Sequence, residues 1–373
     1  METKSIIIIG GGIVGSTAAY YLSKSPDHQV TLIDDGTGQA TKAAAGIICP
    51  WFTLKRNKDW YRLTSQGAAF YEPFMKDLSK DGLESLPYKQ TGTFIFKKKD
   101  EHLERAVQLA DERRVDCPRI GEVTIHTPEE VTEVIPPFRS DYGAVFATGG
   151  GRLNGAQLVE DLRQLFIQNG GTYLQGSAEL IDEHTVLYQG DTYLAETIVL
   201  AVGAWLPQLL SPLGYEVDVR PQKGQLLEFQ TDFETDSWPV CMPPGEIDLL
   251  PFENGRLVIG ASHENDMGYD ISVDQEIISG LKEKASSFIA TLADQDVTKV
   301  RVGTRAYTSD YAPFYGTVPN HEHLWVASGL GSSGLTNGPF IAWQIAQHIL
   351  GQDPDYDIAP YSPSKYIQKH SKA

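Results

Sequence analysis

Four consecutive isoleucines, Ile6 to Ile9, make a β-branched run with no polar alternation. That pattern predicts a strand buried on both faces. Three glycines follow, and then Ser16 to Lys24 carries a helical pattern that Pro26 stops. A second strand is predicted at Gln29 to Ile33, ending on Asp34. The chain therefore opens with a βαβ unit.

Further along, helices are predicted at Trp60 to Leu78, Asp100 to Arg114, Gly155 to Asn169, Asp274 to Leu292 and Leu335 to Leu350. The stop signals of the third and last are Gly170-Gly171 and Gly351. Buried or alternating strands are predicted at Thr91 to Lys97, Thr197 to Val202, Gln225 to Phe229, Arg256 to Gly260, Val300 to Val302 and Leu324 to Ala327. Strands and helices alternate at both ends, while the middle is strand-rich. We read this as an α/β chain: a Rossmann-like domain with a second, β-rich (α+β) domain inserted. The expected segments are 1–88, 149–219 and 299–373 for the first, and 89–148 and 220–298 for the second.

The 373 residues carry 49 acids against 31 bases, a net charge of −18. So acidic a surface repels phosphate backbones and anionic lipid, which excludes nucleic acid and membrane surfaces as partners. Cys49, Cys117 and Cys241 are scattered and form no CxxC pair. That argues against a disulfide framework or thiolate metal site, predicts no bound metal, and fits a reducing, cytoplasmic setting. The uncharged stretch from Ser5 to Ser23 is long enough to invite a membrane or targeting reading. Gly10, Gly11 and Gly12 in its middle weigh against a spanning helix.

Gly10, Gly12 and Gly15 instead fit G-x-G-x-x-G, placed after a strand and at a helix start, with Ile13 and Val14 between the last two. Gly10 makes the turn, Gly12 lets a pyrophosphate approach the backbone, and Gly15 packs helix on strand. The helix N-terminus then offers unpaired N–H groups to the diphosphate. Asp34 follows Gly15 by 19 residues and is placed to accept hydrogen bonds from ribose hydroxyls. This spacing alone leaves NAD and FAD both open.

A run of small residues, Thr41-Lys42-Ala43-Ala44-Ala45-Gly46-Ile47-Ile48, lets backbone lie against a flat or charged ligand. With it, the segments VLAVGAW from Val199, RPQKGQ from Arg220, GTRAYTSDYAPFYG from Gly303 and GLGSSGLTNGP from Gly329 resemble the glycine oxidase, sarcosine oxidase and D-amino-acid oxidase family of FAD-dependent amine oxidoreductases. The resemblance runs through nearly the whole chain. It implies FAD, and it extends the candidate cofactor contacts to Asp35, Lys42, Ala43, Ala44, Ala45, Gly46, Ile47, Ala178, Ala201, Gly203 and Trp205. The turn Gly331, Ser332, Ser333, Gly334, Leu335 and Thr336 resembles the family's loop beside the flavin, where amide groups and a helix dipole stabilise negative charge.

Arg305 falls where the family clamps a substrate carboxylate, through two parallel hydrogen bonds. The structural alternative is an Arg305 paired with Asp310. Asp248 stands where glycine-oxidase-like members carry a substrate-contacting Tyr, and it is the second candidate catalytic residue; the bland alternative has it facing solvent or pairing with Arg305. Three more departures matter: Leu330 replaces a frequent His, Gly303 lies where sarcosine oxidases attach flavin through Cys, and Val258 lies where they place an oxygen-activating Lys. The cofactor is therefore expected to be non-covalent FAD. The expected partners are a small amine or amino acid and O2 or another electron acceptor, with oligomeric state open. The leading function is oxidation of a Cα–N bond by hydride transfer to flavin. The alternatives are a flavin dehydrogenase feeding a quinone or protein carrier, and a non-catalytic flavin-binding subunit or sensor.

Overall fold

In the computed structural model, which describes residues 3–245 and 247–369, the isoleucine run becomes the centre of a parallel sheet. Lys4–Ile9 lies between Thr197–Leu200 and His28–Asp34, in register with both. The six strands run in the order Phe314–Thr317, Leu324–Ser328, Thr197–Leu200, Lys4–Ile9, His28–Asp34 and Thr172–Gln175. Only the edge strand Phe314–Thr317 is antiparallel. Ile6 and Ile8 point into one hydrophobic core and Ile7 and Ile9 into another, so both faces are covered. This explains the missing polar alternation.

The first core is closed by the helices Ile13–Leu22, Lys58–Lys80, Gly155–Gln168 and Gly334–Ile349. The second is closed by a three-stranded antiparallel sheet, Ala178–Asp182, Thr185–Tyr188 and Asp191–Leu194. Pro73 lies inside the helix Lys58–Lys80 without ending it.

An eight-stranded sheet forms the other large layer. Its order is Lys299–Tyr307, Arg220–Gln230, Arg256–Gly260, Asp248–Pro251, Val240–Met242, Thr93–Phe96, Ala144–Ala147 and Val123–His126. One face, with Leu227, Phe229, Leu249, Leu257 and Ile259, packs under the helix Gln275–Phe288. The other face, with Leu226, Leu250 and Val258, meets Ala45 and Ile47. Two-residue periodicity thus hands one face of this sheet to its own core and the other to the βαβ unit.

Lys299–Tyr307 pairs along its length with Arg220–Gln230, so the expected boundary at 299 falls where a strand of the larger sheet begins. The outer limits expected at 1 and 373 lie outside the described residues. Short strands such as Val123–His126, Val240–Met242 and Ile367–Lys369 had no pattern strong enough to predict. Three or four residues are too few to show a period.

Candidate active site

A cavity of about 390 Å³ runs between the two sheets. One end is the βαβ turn. Gly10 has φ +100°, and a Cβ there would come within 2.5 Å of the Ala201 carbonyl oxygen. A Cβ on Gly15 would sit 1.8 Å from the Gly10 carbonyl oxygen, so Gly15 serves helix-to-strand packing and does not line the cavity. Gly12 differs from both. Its Cβ position has only Thr41 Oγ1 nearby, at 3.4 Å, and opens into the cavity. That is the cradle a diphosphate needs. Ile13 and Val14 line it, and the Ile13 amide donates to Thr41 Oγ1 (2.9 Å).

Asp34 and Asp35 close this end. Asp34 Oδ2 accepts from Gln39 Nε2 at 2.6 Å, which fixes the carboxylate beside Gly11. Burial works to raise the Asp35 pKa, but hydrogen bonds from the Ser177 hydroxyl and the Thr37 amide carry it below the ordinary carboxylate value. Asp35 is therefore held ionised by its hydrogen bonds.

The middle of the cavity is lined by Ala43, Ala44, Ala45, Gly46 and Ile47 on one side, and by Ala178, Ala201, Gly203 and Trp205 on another. The far end is built by the eight-stranded sheet and by the turn before the helix Gly334–Ile349. Gly331, Ser332, Gly334 and Leu335 line it, with Leu330 and Gly303. Lys42, Ser333 and Thr336 do not. Lys42 is exposed, Ser333 turns its hydroxyl back to the Leu330 carbonyl (2.8 Å), and Thr336 is buried against Gly67.

Arg305 and Asp248 share the far end. Arg305 Nη1 donates to Gln222 Oε1 (3.1 Å) and to the Ser262 carbonyl (3.0 Å). Asp310 bonds instead to Lys365, Tyr366 and Thr308, so the alternative of an Arg305–Asp310 pair does not hold. Among the described residues no carboxylate pairs with Arg305. Burial draws its pKa down from the usual value, yet a guanidinium keeps its charge at neutral pH. The result is a desolvated cation facing a cavity. Arg301, four residues earlier on the same face, differs: it is buried and paired with Glu228.

Asp248 begins its strand opposite Gly260. It is half-buried on the cavity wall and forms no ion pair with Arg305, and desolvation pushes its carboxyl up to about 7. Val258 is fully buried in an apolar row with Leu226, Val240, Leu250 and Phe252. Thr41, at the head of the small-residue run, also lines the cavity, as do Gln39, Ser177 and His263, which no sequence pattern marks. His321 is structural, bonded to Glu183 and Tyr215. Among the described residues no group of three His, Cys, Asp or Glu could hold a metal, and no helix is long and apolar enough to cross a membrane.

Comparison with known proteins gives a consistent result. A family model described as FAD dependent oxidoreductase matches residues 5–348. The chain is 39% identical to the uncharacterised oxidoreductase YurR of Bacillus subtilis (strain 168), over 97% of this chain and 99% of that protein. It is 25% identical to the glycine oxidase of Pseudomonas putida strain KT2440, covering 97% and 98% of the two chains. The solved structure of iminodiacetate oxidase from Chelativorans sp. BNC1 superposes with TM-score 0.91 at 32% identity, covering 96% and 98%.

Proposed function

Because the chain belongs to the family of FAD-dependent oxidoreductases, we propose that it oxidises the Cα–N bond of a small amino acid or secondary amine whose carboxylate is held by Arg305. FAD is the cofactor of this family and of its glycine oxidase members. When bound, it supplies a two-electron acceptor for the hydride leaving Cα.

The residues fit that group. The open Cβ position of Gly12, the fixed carboxylate of Asp34 and the small residues Ala43 to Gly46 would hold its adenosine diphosphate half. The amides following Gly331 would face its reactive ring. Attachment would be non-covalent: no cysteine lines the cavity among the described residues, and a Cβ at Gly303 would meet the Ala43 side chain at 2.6 Å.

The observation that carries the reading is Arg305, a half-buried, desolvated cation without a carboxylate partner among the described residues, on the wall of this cavity. Gln222 and the Ser262 carbonyl each accept from Nη1 and so fix the plane of the guanidinium. Its remaining N–H groups form a fork for a substrate carboxylate, which sets the face of Cα presented for oxidation. The apolar row behind, with Leu226, excludes water from the reacting carbon. Relatives named above act on glycine and iminodiacetate, neither of which has a stereocentre, so nothing in them favours a D-amino acid.

A second reading concerns the electron acceptor. Val258 brings no cation to the cavity, which favours transfer to a quinone or protein carrier over a lysine-assisted reaction with O2. Stopped-flow reoxidation of the reduced protein by O2 separates the two. The amine-oxidising reading itself is tested by ligand titration of Arg305→Ala, described below.

A further inference from the structure

Sheet register places Arg305 and Asp248 on one face. Leu226, Gly260 and Asp248 lie directly opposite one another on adjacent strands. Gly224 is two residues before Leu226 on the same face, and a Cβ there would touch the Arg305 guanidinium at 2.7 Å from Nη1. The guanidinium therefore lies over Gly224. Asp248 is two strands across and two residues along from that point, about 12 Å in a flat sheet, with its side chain rising into the same cavity. A ligand lying along this face therefore meets the guanidinium at one side and the carboxyl at the other.

Asp248 makes no hydrogen bond or ion pair with any described residue, although desolvation dominates its environment. A half-buried, desolvated carboxyl on a cavity wall, without a side-chain partner among the described residues, is a place where a ligand's cation would be satisfied and would satisfy it. We propose that Asp248 is a catalytic residue that accepts the proton of the substrate's ammonium group, so that the substrates are zwitterions carrying a carboxylate on Arg305 and a cationic primary or secondary amine on Asp248. The inference rests on reading the cavity as an amine-oxidising site and adds its substrate class and its proton acceptor.

The step balances. One N–H bond of the ammonium breaks and its proton forms an O–H bond on Asp248, which frees the nitrogen lone pair. The Cα–H bond then breaks with its electron pair, which the bound FAD accepts as hydride, and the lone pair forms the C=N bond of an iminium. Substrate is oxidised and cofactor reduced by two electrons; water later hydrolyses the product. A carboxyl whose pKa has been raised to about 7 is matched to this task, being ionised often enough to accept yet basic enough to hold the proton.

Other charged groups face the same space. Arg305 comes from the edge strand and His263 from the segment after Gly260; Glu264, which acts on Arg305 through space, is off the cavity wall and accepts from Gln225 and Ser262. Cys241 sits on the neighbouring strand, its thiol driven further toward the protonated form by burial and by Asp248. Asp34 and Asp35 lie at the opposite end, and the turn Gly329 to Thr336 contributes no ionisable side chain. Of these, only the imidazole ordinarily titrates near the same pH, so it needs its own control.

The test uses the holoprotein and two probes. Methylthioacetate is an unreactive anion without an amine; sarcosine is its cationic counterpart. In the wild type, methylthioacetate should weaken about tenfold between pH 6 and 8 as Asp248 ionises, read from the flavin spectrum. In Asp248→Asn its affinity should be flat and at its strongest. Flavin bleaching by sarcosine without oxygen should level off above about pH 7 in the wild type, and in Asp248→Asn keep rising toward the amine's own pKa. An unchanged profile in Asp248→Asn overturns the proposal. So does a profile that survives Asp248→Asn but vanishes in His263→Gln, which would move the proton to His263. Methylthioacetate binding with a pH-independent affinity in the wild type sinks this inference alone. If it binds neither the wild type nor Asp248→Asn, the carboxylate reading falls and takes this inference with it.

Discussion

The two ends of the cavity are made by different means. The nucleotide end is built of backbone: Gly10, Gly12 and Gly15 in a turn, a helix N-terminus, and one carboxylate at a strand end. These parts lie within about thirty residues of one another, and each is dictated by local sterics. The substrate end is built of side chains on strands far apart in sequence, and Arg305, Gln222, Ser262 and Asp248 meet only through sheet register. Where backbone packs on backbone, as at Gly10 and Gly15, no added atom is tolerated, whereas side-chain sites tolerate mutation in their fold and lose only chemistry.

The largest effect expected from this difference is at Gly15. Gly15→Ala would force a Cβ to within 1.8 Å of the Gly10 carbonyl oxygen. Overpacking typically costs about 1–3 kcal/mol, and backbone cannot swing aside, so the cost should reach the top of that range. The variant should lose FAD and melt well below the wild type. Gly12→Ala is the contrast: its Cβ meets only Thr41 Oγ1 at 3.4 Å, so the apoprotein should keep its melting temperature while flavin absorbance disappears on purification. Equal destabilisation of both apoproteins would break the distinction between packing and cradle glycine.

At the other end, Arg305→Ala should retain flavin and lose about 2–5 kcal/mol of affinity for carboxylate ligands, roughly 30-fold to several-thousand-fold. Arg305→Lys should recover part of this, since an ammonium lacks the planar fork. Titrating both variants with methylthioacetate and following the flavin spectrum checks the order.

Asp248 gives a stability signature that needs no ligand. Its folded pKa, about 7, lies above the ordinary 3.8, so its burial penalty is absent below about pH 4, where both states are protonated. The penalty grows as pH rises through that window and is constant above about pH 7. Removing the charge should therefore stabilise the protein on the alkaline side. Asp248→Asn should gain up to about 4 kcal/mol at pH 8 and nothing near pH 4. Denaturant midpoints at the two pH values decide it, and an equal gain at both would show that charge is not the cause.

The smallest effect concerns release. Acid precipitation should leave all FAD in the supernatant; flavin that stays with the polypeptide would show a covalent link that the crowding at Gly303 argues against.

Legibility in the sequence follows the same division. The glycine turn, Asp34 and the central strand could be read from spacing because their geometry is local. Arg305 and Asp248 could be singled out only through resemblance, since no local pattern places residue 305 against residues 222 and 262. The extent of Lys299–Tyr307 was hidden because only Val300 and Val302 alternate clearly; its glycine, threonine and arginine positions face a cavity, where apolar periodicity carries no signal. His263 was passed over for the same reason: its neighbours in space are not its neighbours in sequence. Lys42, Ser333 and Thr336 belong to these motifs in sequence but not to the cavity wall, because in a helical turn only some residues face one side.

Anaerobic mixing of the FAD-loaded wild type with glycine, sarcosine and iminodiacetate, followed by flavin absorbance, tests the central claim most directly. The account predicts that at least one of these carboxylate-bearing amines bleaches the flavin within a single turnover, and that Arg305→Ala needs at least about 30-fold more of it to reach half the rate. If none of the three reduces the flavin, or if the alanine variant is reduced at the same concentrations as the wild type, the cavity is not a carboxylate-clamped amine site and the account is wrong.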